Sequence, residues 1–406
     1  MTERRDTPLT LAFILTTVVI DAMGIGLILP VMPALLREIG DIPLADAALW
    51  GGVLATAFAV MQFLFGPVVG ALSDRYGRRP VLLISLFVMA LDYLVMALAQ
   101  AFWLLFLGRI VGGITAATQS AASAAMADIS EPSQKAARFG LIGAGFGIGF
   151  VFGPLLGGLL GEYGTRAPFY AAAALAALNM VLGYFVMPET VTDETRRPLT
   201  WARTNPLGAF QNVGLNPEMR RLLLLFFLYQ VAFFVYPATW AYFTTARFGW
   251  SEGMIGLSLA SFGIAMAVVQ GGLIRLILKW FGDRGTVVYG LVFNVFAFIA
   301  LAFVTNGTLA LILTPLTALG AVVTPAVQGI MSRATSDDSQ GELQGVLSSA
   351  GALATIISPM LMSYVFFTFA REDAPIFLPG AAFLVSMLLM FVCMAVFLPP
   401  RRRDVT

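Results

Sequence analysis

Twelve runs of roughly twenty mostly apolar residues divide this chain, and nothing else in it limits the fold as severely. Inside a bilayer the backbone N–H and C=O groups have no water to bond, so each such run forms a helix whose hydrogen bonds are internal. The runs fall at about 9–33, 48–70, 80–100, 103–126, 137–161 and 167–187, then 221–244, 254–279, 286–304, 308–331, 342–369 and 376–398. Hydrophobic residues make up 59% of the 406 positions and charged residues only 12%, which no ordinary soluble core requires. The polar stretch from Met1 to Pro8 leads into an apolar run too long for a signal peptide and without a small-residue cleavage pattern. That run is expected to stay as the first span.

The basic residues test the count independently. An even number of spans places both termini on one side, and 19 of the 24 Lys and Arg residues fall there. They are Arg4 and Arg5; Arg75, Arg78 and Arg79; Lys135 and Arg138; Arg196, Arg197, Arg203, Arg220 and Arg221; Arg275, Lys279 and Arg284; Arg333; and Arg401 to Arg403. Only Arg37, Arg166, Arg247 and Arg371 lie on the opposite side, and Arg109 lies within a span. The positive-inside rule then predicts cytoplasmic termini.

The stretch 189–220 is the one long polar connection, and it separates six spans from six. The expected organisation is an N-terminal six-helix bundle over 1–188, a central cytoplasmic loop over 189–220 and a C-terminal six-helix bundle over 221–406. A fixed offset of 205 residues brings Gly66 onto Gly271, Gly77 onto Gly282, Arg79 onto Arg284, Gly140 onto Gly345, and Pro154 onto Pro359. Parallel repeats of this kind are a transporter architecture with the substrate site between the halves.

Ionisable residues inside a span are costly and point to function. Asp21 lies midway along span one, Asp92 within span three and Arg109 early in span four. A carboxylate held among helices can take a proton from one side of the membrane and release it to the other, and a nearby guanidinium can make that release depend on conformation. A structural ion pair or a polar cavity lining is the alternative for each. The second half has no comparable acid, so proton handling is expected in the first half and substrate shaping in the second. Gln62, Tyr229, Phe233, Met266, Gln270 and Asn294 are candidate cavity residues, and Phe234, Tyr236, Trp240, Phe293 and Phe296 offer further aromatic surface. Packing remains the competing reading for any one aromatic.

With no histidine and the single cysteine Cys393, a disulfide framework is impossible and a Cys/His metal site is not expected; no metal or cofactor is expected. The net charge of +1 gives no reason for a nucleic-acid partner. A membrane enzyme would lack a nucleophile–base pair. The expected partners are the lipid bilayer, protons and a small-molecule drug, and a monomer suffices.

Between spans two and three the chain reads Gly70-Ala71-Leu72-Ser73-Asp74-Arg75-Tyr76-Gly77-Arg78-Arg79, and span five carries Gly153-Pro154-Leu155-Leu156-Gly157-Gly158. The first resembles the signature loop of the major facilitator superfamily, and the second resembles its antiporter motif. Span one from Asp21 to Pro33, Leu91-Asp92-Tyr93, Gly108-Arg109, Gly112-Gly113-Ile114-Thr115 and Arg247-Phe248-Gly249-Trp250 extend the likeness to the tetracycline:proton antiporter branch. The resemblance implies an all-α major facilitator fold that exports amphipathic drugs across the bacterial inner membrane, a tetracycline-type antibiotic foremost. It implies proton coupling at Asp21 and Asp92 and gating by Asp74, Arg75, Arg78, Arg79 and Asp128, with Asp74, Arg78 and Asp128 as the cytoplasmic latch. The family's span-eight histidine and span-nine aspartate are replaced by Met266 and Asn294, so another amphipathic antibiotic or a toxic metabolite stays open as substrate. The second-half loop copy has Lys279 where Asp74 stands, which makes the latch asymmetric. Proton-coupled uptake of a small metabolite and a transport-inactive sensor are the competing readings.

Overall fold

The computed structural model describes residues 8–398 apart from 117, 132, 194, 195, 197, 199–203, 207, 209–216, 337 and 338. Both termini, and with them Arg4, Arg5 and Arg401 to Arg403, lie outside the described residues, as do Arg197 and Arg203. The described residues are helical nearly throughout. Among the described residues ten helices are long and apolar enough to cross a membrane; one of them, Glu252–Phe303, is interrupted by the non-helical Gly282 and holds two spans. With the shorter apolar helix Ala381–Phe397, twelve spans result, so the chain is a multi-pass membrane protein.

Spans one to six are Pro8–Ile28, Leu44–Tyr76, Arg78–Leu98, Phe102–Ile129, Lys135–Gly161 and Ala167–Val186. Spans seven to twelve are Pro217–Phe248, Glu252 to the break at Gly282, the break to Phe303, Gly307–Arg333, Gln340–Ala370 and Ala381–Phe397. Span one ends earlier than the apolar run. Pro30 and Pro33 cannot donate to a helix ladder, so the helix stops at Ile28 and a separate amphipathic helix, Met32–Gly40, buries Leu35 and Leu36. Span twelve starts later than expected, at Ala381, because Pro375, Pro379 and Gly380 precede it.

The 205-residue repeat is visible in the irregularities as well as in the residue types. Span one breaks after Ile28 and span seven after Phe233. Span four breaks at Ala116, and span ten passes through a 3-10 turn at Ala318–Gly320 before resuming at Val323. Gly77 and Gly282 have positive φ of 118° and 65°, and each turns the chain from one span into the next. A side chain is strained at such a φ, which accounts for glycine at both.

The chain packs as two compact units, Met1–Gly208 with Gly249–Gly263, and Ala209–Phe248 with Ile264–Thr406. The first stretch of span eight thus packs with the first six spans. Without a strong hydrophobic drive between helices in lipid, association rests on close packing of small residues. Span five supplies it: a methyl added at Gly149, Gly153 or Gly157 would strike the span-one backbone at Val19, Met23 or Leu27. Phe13, Ile14, Leu82, Leu86, Met126 and Ile142 close the core of this unit around that seam.

Candidate functional site

Asp92 and Arg109 stand on antiparallel neighbours, and the structure joins them in an ion pair. Both are secluded, with the Asp92 residue 6% exposed. Gly108 and Gly112 make the space: an added methyl at either would lie 2.8 Å from an Asp92 carboxylate oxygen. The Arg109 guanidinium also sits 5.1 Å from the centre of the Phe58 ring of span two. Only one Asp92 oxygen meets Arg109. The other, Oδ1, is buried without a hydrogen-bond partner among the described residues. A buried carboxylate oxygen left without a partner is costly.

Tyr93 links this pair to span one. Its side chain is buried and its hydroxyl rests against Gly24, less than one helical turn from Asp21. The phenol lies within electrostatic range of Asp21, Arg109 and Asp92 together. Asp21 itself is half-buried. Tyr93 and Phe58 were not singled out from sequence as site residues; the small residues facing them, Gly24 and Gly112, are the signal that was there to read.

At one end of the same unit the signature turn is cross-braced. Arg78 pairs with Asp74 at 2.5 Å and with Asp128, at the end of span four, at 3.1 Å. Arg79 donates to the carbonyl of Tyr184 at 2.5 Å. Arg75 is not part of this cluster; it is exposed and stacks over Tyr76. Glu189, which had read as linker, accepts from the backbone N–H of Arg78 at 2.8 Å and of Arg79 at 3.3 Å. Those N–H groups open span three and have no partner within the helix, so the carboxylate caps them. Thr190 adds a bond to Asp128 at 2.9 Å.

The second unit holds the repeat-related pair with its charges exchanged. The offset carries Arg78 to Asp283 and Asp128 to Arg333, and Arg333 pairs with Asp283 at 2.5 Å. Lys279 stands at the Asp74 position, yet the brace from turn to span end is kept with opposite polarity. It is more open, with side chains 59% and 44% exposed against 14% and 25% in the first unit. Arg284 pairs separately with Glu218 at 2.6 Å.

The candidate cavity residues separate into two groups. Gln62 and Gln270 are exposed, and Phe233 and Met266 are half-buried. Gln62 donates to the Ala116 carbonyl freed by the break in span four, and Gln270 lies in a single π-helical turn, Val269–Leu273. Tyr229 and Asn294, by contrast, are fully buried. Asn294 Nδ2 donates to Gly290 O at 2.8 Å and Gly320 O at 2.9 Å, and the Tyr229 hydroxyl donates to Gly320 O at 3.1 Å. This knot serves the carbonyl exposed where span ten breaks. Tyr236 and Trp240 are likewise packed among Phe298 and Phe383, whereas Phe296 is exposed.

The knot explains a neutral amide at position 294. An ionised aspartate would donate to neither carbonyl, and a protonated one could serve only one of the two. Asn294→Asp is therefore expected to destabilise the protein by about 1–3 kcal/mol, as for a buried acceptor left unsatisfied. Thermal unfolding of the purified protein in detergent checks this, and a raised midpoint would contradict it.

Twelve spans, a buried ion pair within them and glycine-lined helix crossings are the features of a membrane transporter. The chain belongs to the Major Facilitator Superfamily, whose profile matches residues 14–314 and 222–406. Within it, the chain is 42% identical over 393 residues to the class C tetracycline resistance protein of Escherichia coli, covering 97% of this chain and 96% of that protein. It is 38% identical to the class B protein of Escherichia coli, with 93% of each covered. The solved structure of the human organic anion transporter MFSD10 (TETRAN) superposes with a TM-score of 0.70 at 26% identity, covering 97% of this chain and all of that one.

Proposed function

We propose that the protein exports a tetracycline-type amphipathic drug in exchange for protons, by alternating access across a bacterial inner membrane with both termini cytoplasmic. Kinship with the tetracycline resistance proteins supports the substrate class. The observation that carries the coupling is the buried Asp92 carboxylate, tied to Arg109 by one oxygen and unpartnered at the other. In this reading protonation of Asp92 loosens its hold on Arg109, and Tyr93 relates that change to Asp21 on span one. The first unit then carries the proton, and the second shapes the drug path with Met266 and Gln270. The Gly153-Pro154 turn keeps spans one and five in close register.

The signature turn is proposed as the cytoplasmic gate. Asp74, Arg78, Asp128 and Glu189 hold the ends of spans two, three, four and six together, and Arg79 ties span six once more. The Asp283–Arg333 pair is its weaker counterpart. An exposed pair contributes about 0–1 kcal/mol, so Arg333→Ala is expected to alter the initial export rate by less than about fivefold. Arg78→Ala removes a partly buried hub with two acidic partners and should slow export by more than about tenfold. Equal effects of the two substitutions would contradict the asymmetry.

The reading is tested by producing the protein in a tetracycline-sensitive bacterium. It predicts that growth continues at higher tetracycline and that a protonophore erases the drug efflux. Unchanged sensitivity with the protein present in the membrane would overturn tetracycline as substrate. Proton-coupled nutrient uptake, the runner-up, predicts instead growth on a limiting metabolite and no change in drug tolerance.

A further inference from the structure

The end of the first unit opposite the signature turn is closed by a contact that neither the motifs nor the proposed coupling uses. Span five ends at Gly161, and Glu162 follows at its C-terminus. Its Oε1 accepts from the Gly253 N–H at 2.9 Å, in the first turn of span eight. The Ser251 hydroxyl bonds the same carboxylate, and these two donors hold the Glu162 carboxyl below the ordinary carboxylate range. The first N–H groups of a helix lack internal partners and carry partial positive charge, so an anion from a neighbouring helix both satisfies and attracts them. Span eight's own N-cap candidate, Ser251, reaches Met254 N only at 3.5 Å. The start of span eight is therefore capped chiefly by a different span.

The surface beside this cap is almost bare of side chains. A methyl at Gly256 would meet the Pro154 carbonyl and lie 3.0 Å from Gly158 Cα, and one at Gly161 would lie 2.9 Å from Glu252 Cβ. At Gly158 and Gly256 the two backbones touch closely with no side chain of their own between them. Ile255, next to Gly256 in this stretch, is buried. Beyond Gly263 the same span packs with the second unit, so its first turns are the part held by span five.

We propose that Glu162 is the positioning residue of the outer closure, seating the start of span eight on span five when the transporter is shut to the outside and releasing it when the transporter opens there. This rests on the alternating-access reading, with the signature turn at the opposite face. The glycines set how closely the two faces meet; the carboxylate sets how long they stay together.

The test uses the full chain with Cys393→Ala and a single reporter, Ile255→Cys, treated from outside with a membrane-impermeant maleimide. Ala121→Cys, in the core of the same unit, is the control for general loosening. Glu162→Ala is expected to speed labelling at the Ile255 reporter about fivefold or more, the scale of one lost net hydrogen bond. Labelling at the Ala121 reporter should not change. Ser251→Ala should give a smaller rise in the same direction, and Glu162→Asp should recover most of the slow labelling. Unchanged labelling at the Ile255 reporter, or an equal rise at both reporters, would overturn the proposal. Because the readout is labelling and not export, a chain that fails to move tetracycline would defeat the functional reading while leaving this outcome decisive for the closure.

Discussion

Replacing Asp21 by asparagine is expected to bring proton-driven drug export to background while the protein still reaches the membrane. Asp21 is half-buried on span one, in electrostatic range of the Tyr93 phenol, which also senses Asp92 and Arg109. Asparagine keeps the size and polarity but holds no transferable proton. Groups that accept and return a proton in a working step contribute on the order of a hundredfold to ten-thousandfold, which is enough to hide residual turnover. The span should survive the change, since span one is held to span five by backbone-to-glycine contacts at Val19, Met23 and Leu27 and not by this side chain. Drug accumulation in energised inverted vesicles checks the prediction, with protein amount measured in the same membranes. Undiminished export by Asp21→Asn would remove this residue from the coupling path.

Arg109→Ala should fail differently. It leaves the buried Asp92 carboxylate between Gly108 and Gly112 with neither oxygen partnered by a described residue. Removing one member of a buried pair destabilises by about 3–5 kcal/mol, against a total stability of only about 5–15 kcal/mol. Little folded protein is expected. Asp92→Asn combined with Arg109→Gln removes both charges and should recover most of the folded yield, yet not the export. That pattern separates the pair's two contributions: fold through mutual neutralisation, and transport through a proton that a neutral pair cannot carry. Recovery of proton-driven export in the double variant would show that the pair is structural only. Yield by size-exclusion chromatography and transport in vesicles read the two outcomes independently.

Much of this arrangement was legible in the residues. The apolar runs, their alternating basic flanks and the 205-residue offset all follow from how helices must satisfy their backbones in lipid. Even the Asp92–Arg109 pairing has a trace in the numbering. Both residues lie eight or nine positions from the turn at Gln100–Ala101, so two antiparallel helices place them at the same depth. Other features left no such trace. The break in span four falls at Ala116 in Thr115-Ala116, with neither proline nor glycine at that point to mark it. Glu189 reads as linker after Pro188, because its role depends on the start of span three being folded against it. Asn294 looked like a vacant coupling position until Gly290 and Gly320 offered it two carbonyls, a demand set by tertiary contacts. The inverted pair Asp283–Arg333 was hidden for a simpler reason: matching residue types across the repeat passes over positions where the charges have exchanged.

The central claim is that drug and proton move in opposite directions through one protein, and lumenal pH in energised inverted vesicles tests it most directly. Respiration acidifies the lumen, and tetracycline is then added outside. The account predicts an immediate rise in lumenal pH as protons leave in exchange for entering drug, absent from vesicles carrying Asp21→Asn. A lumen that stays equally acidic with the unaltered protein present, or an identical rise in the Asp21→Asn vesicles, would contradict it.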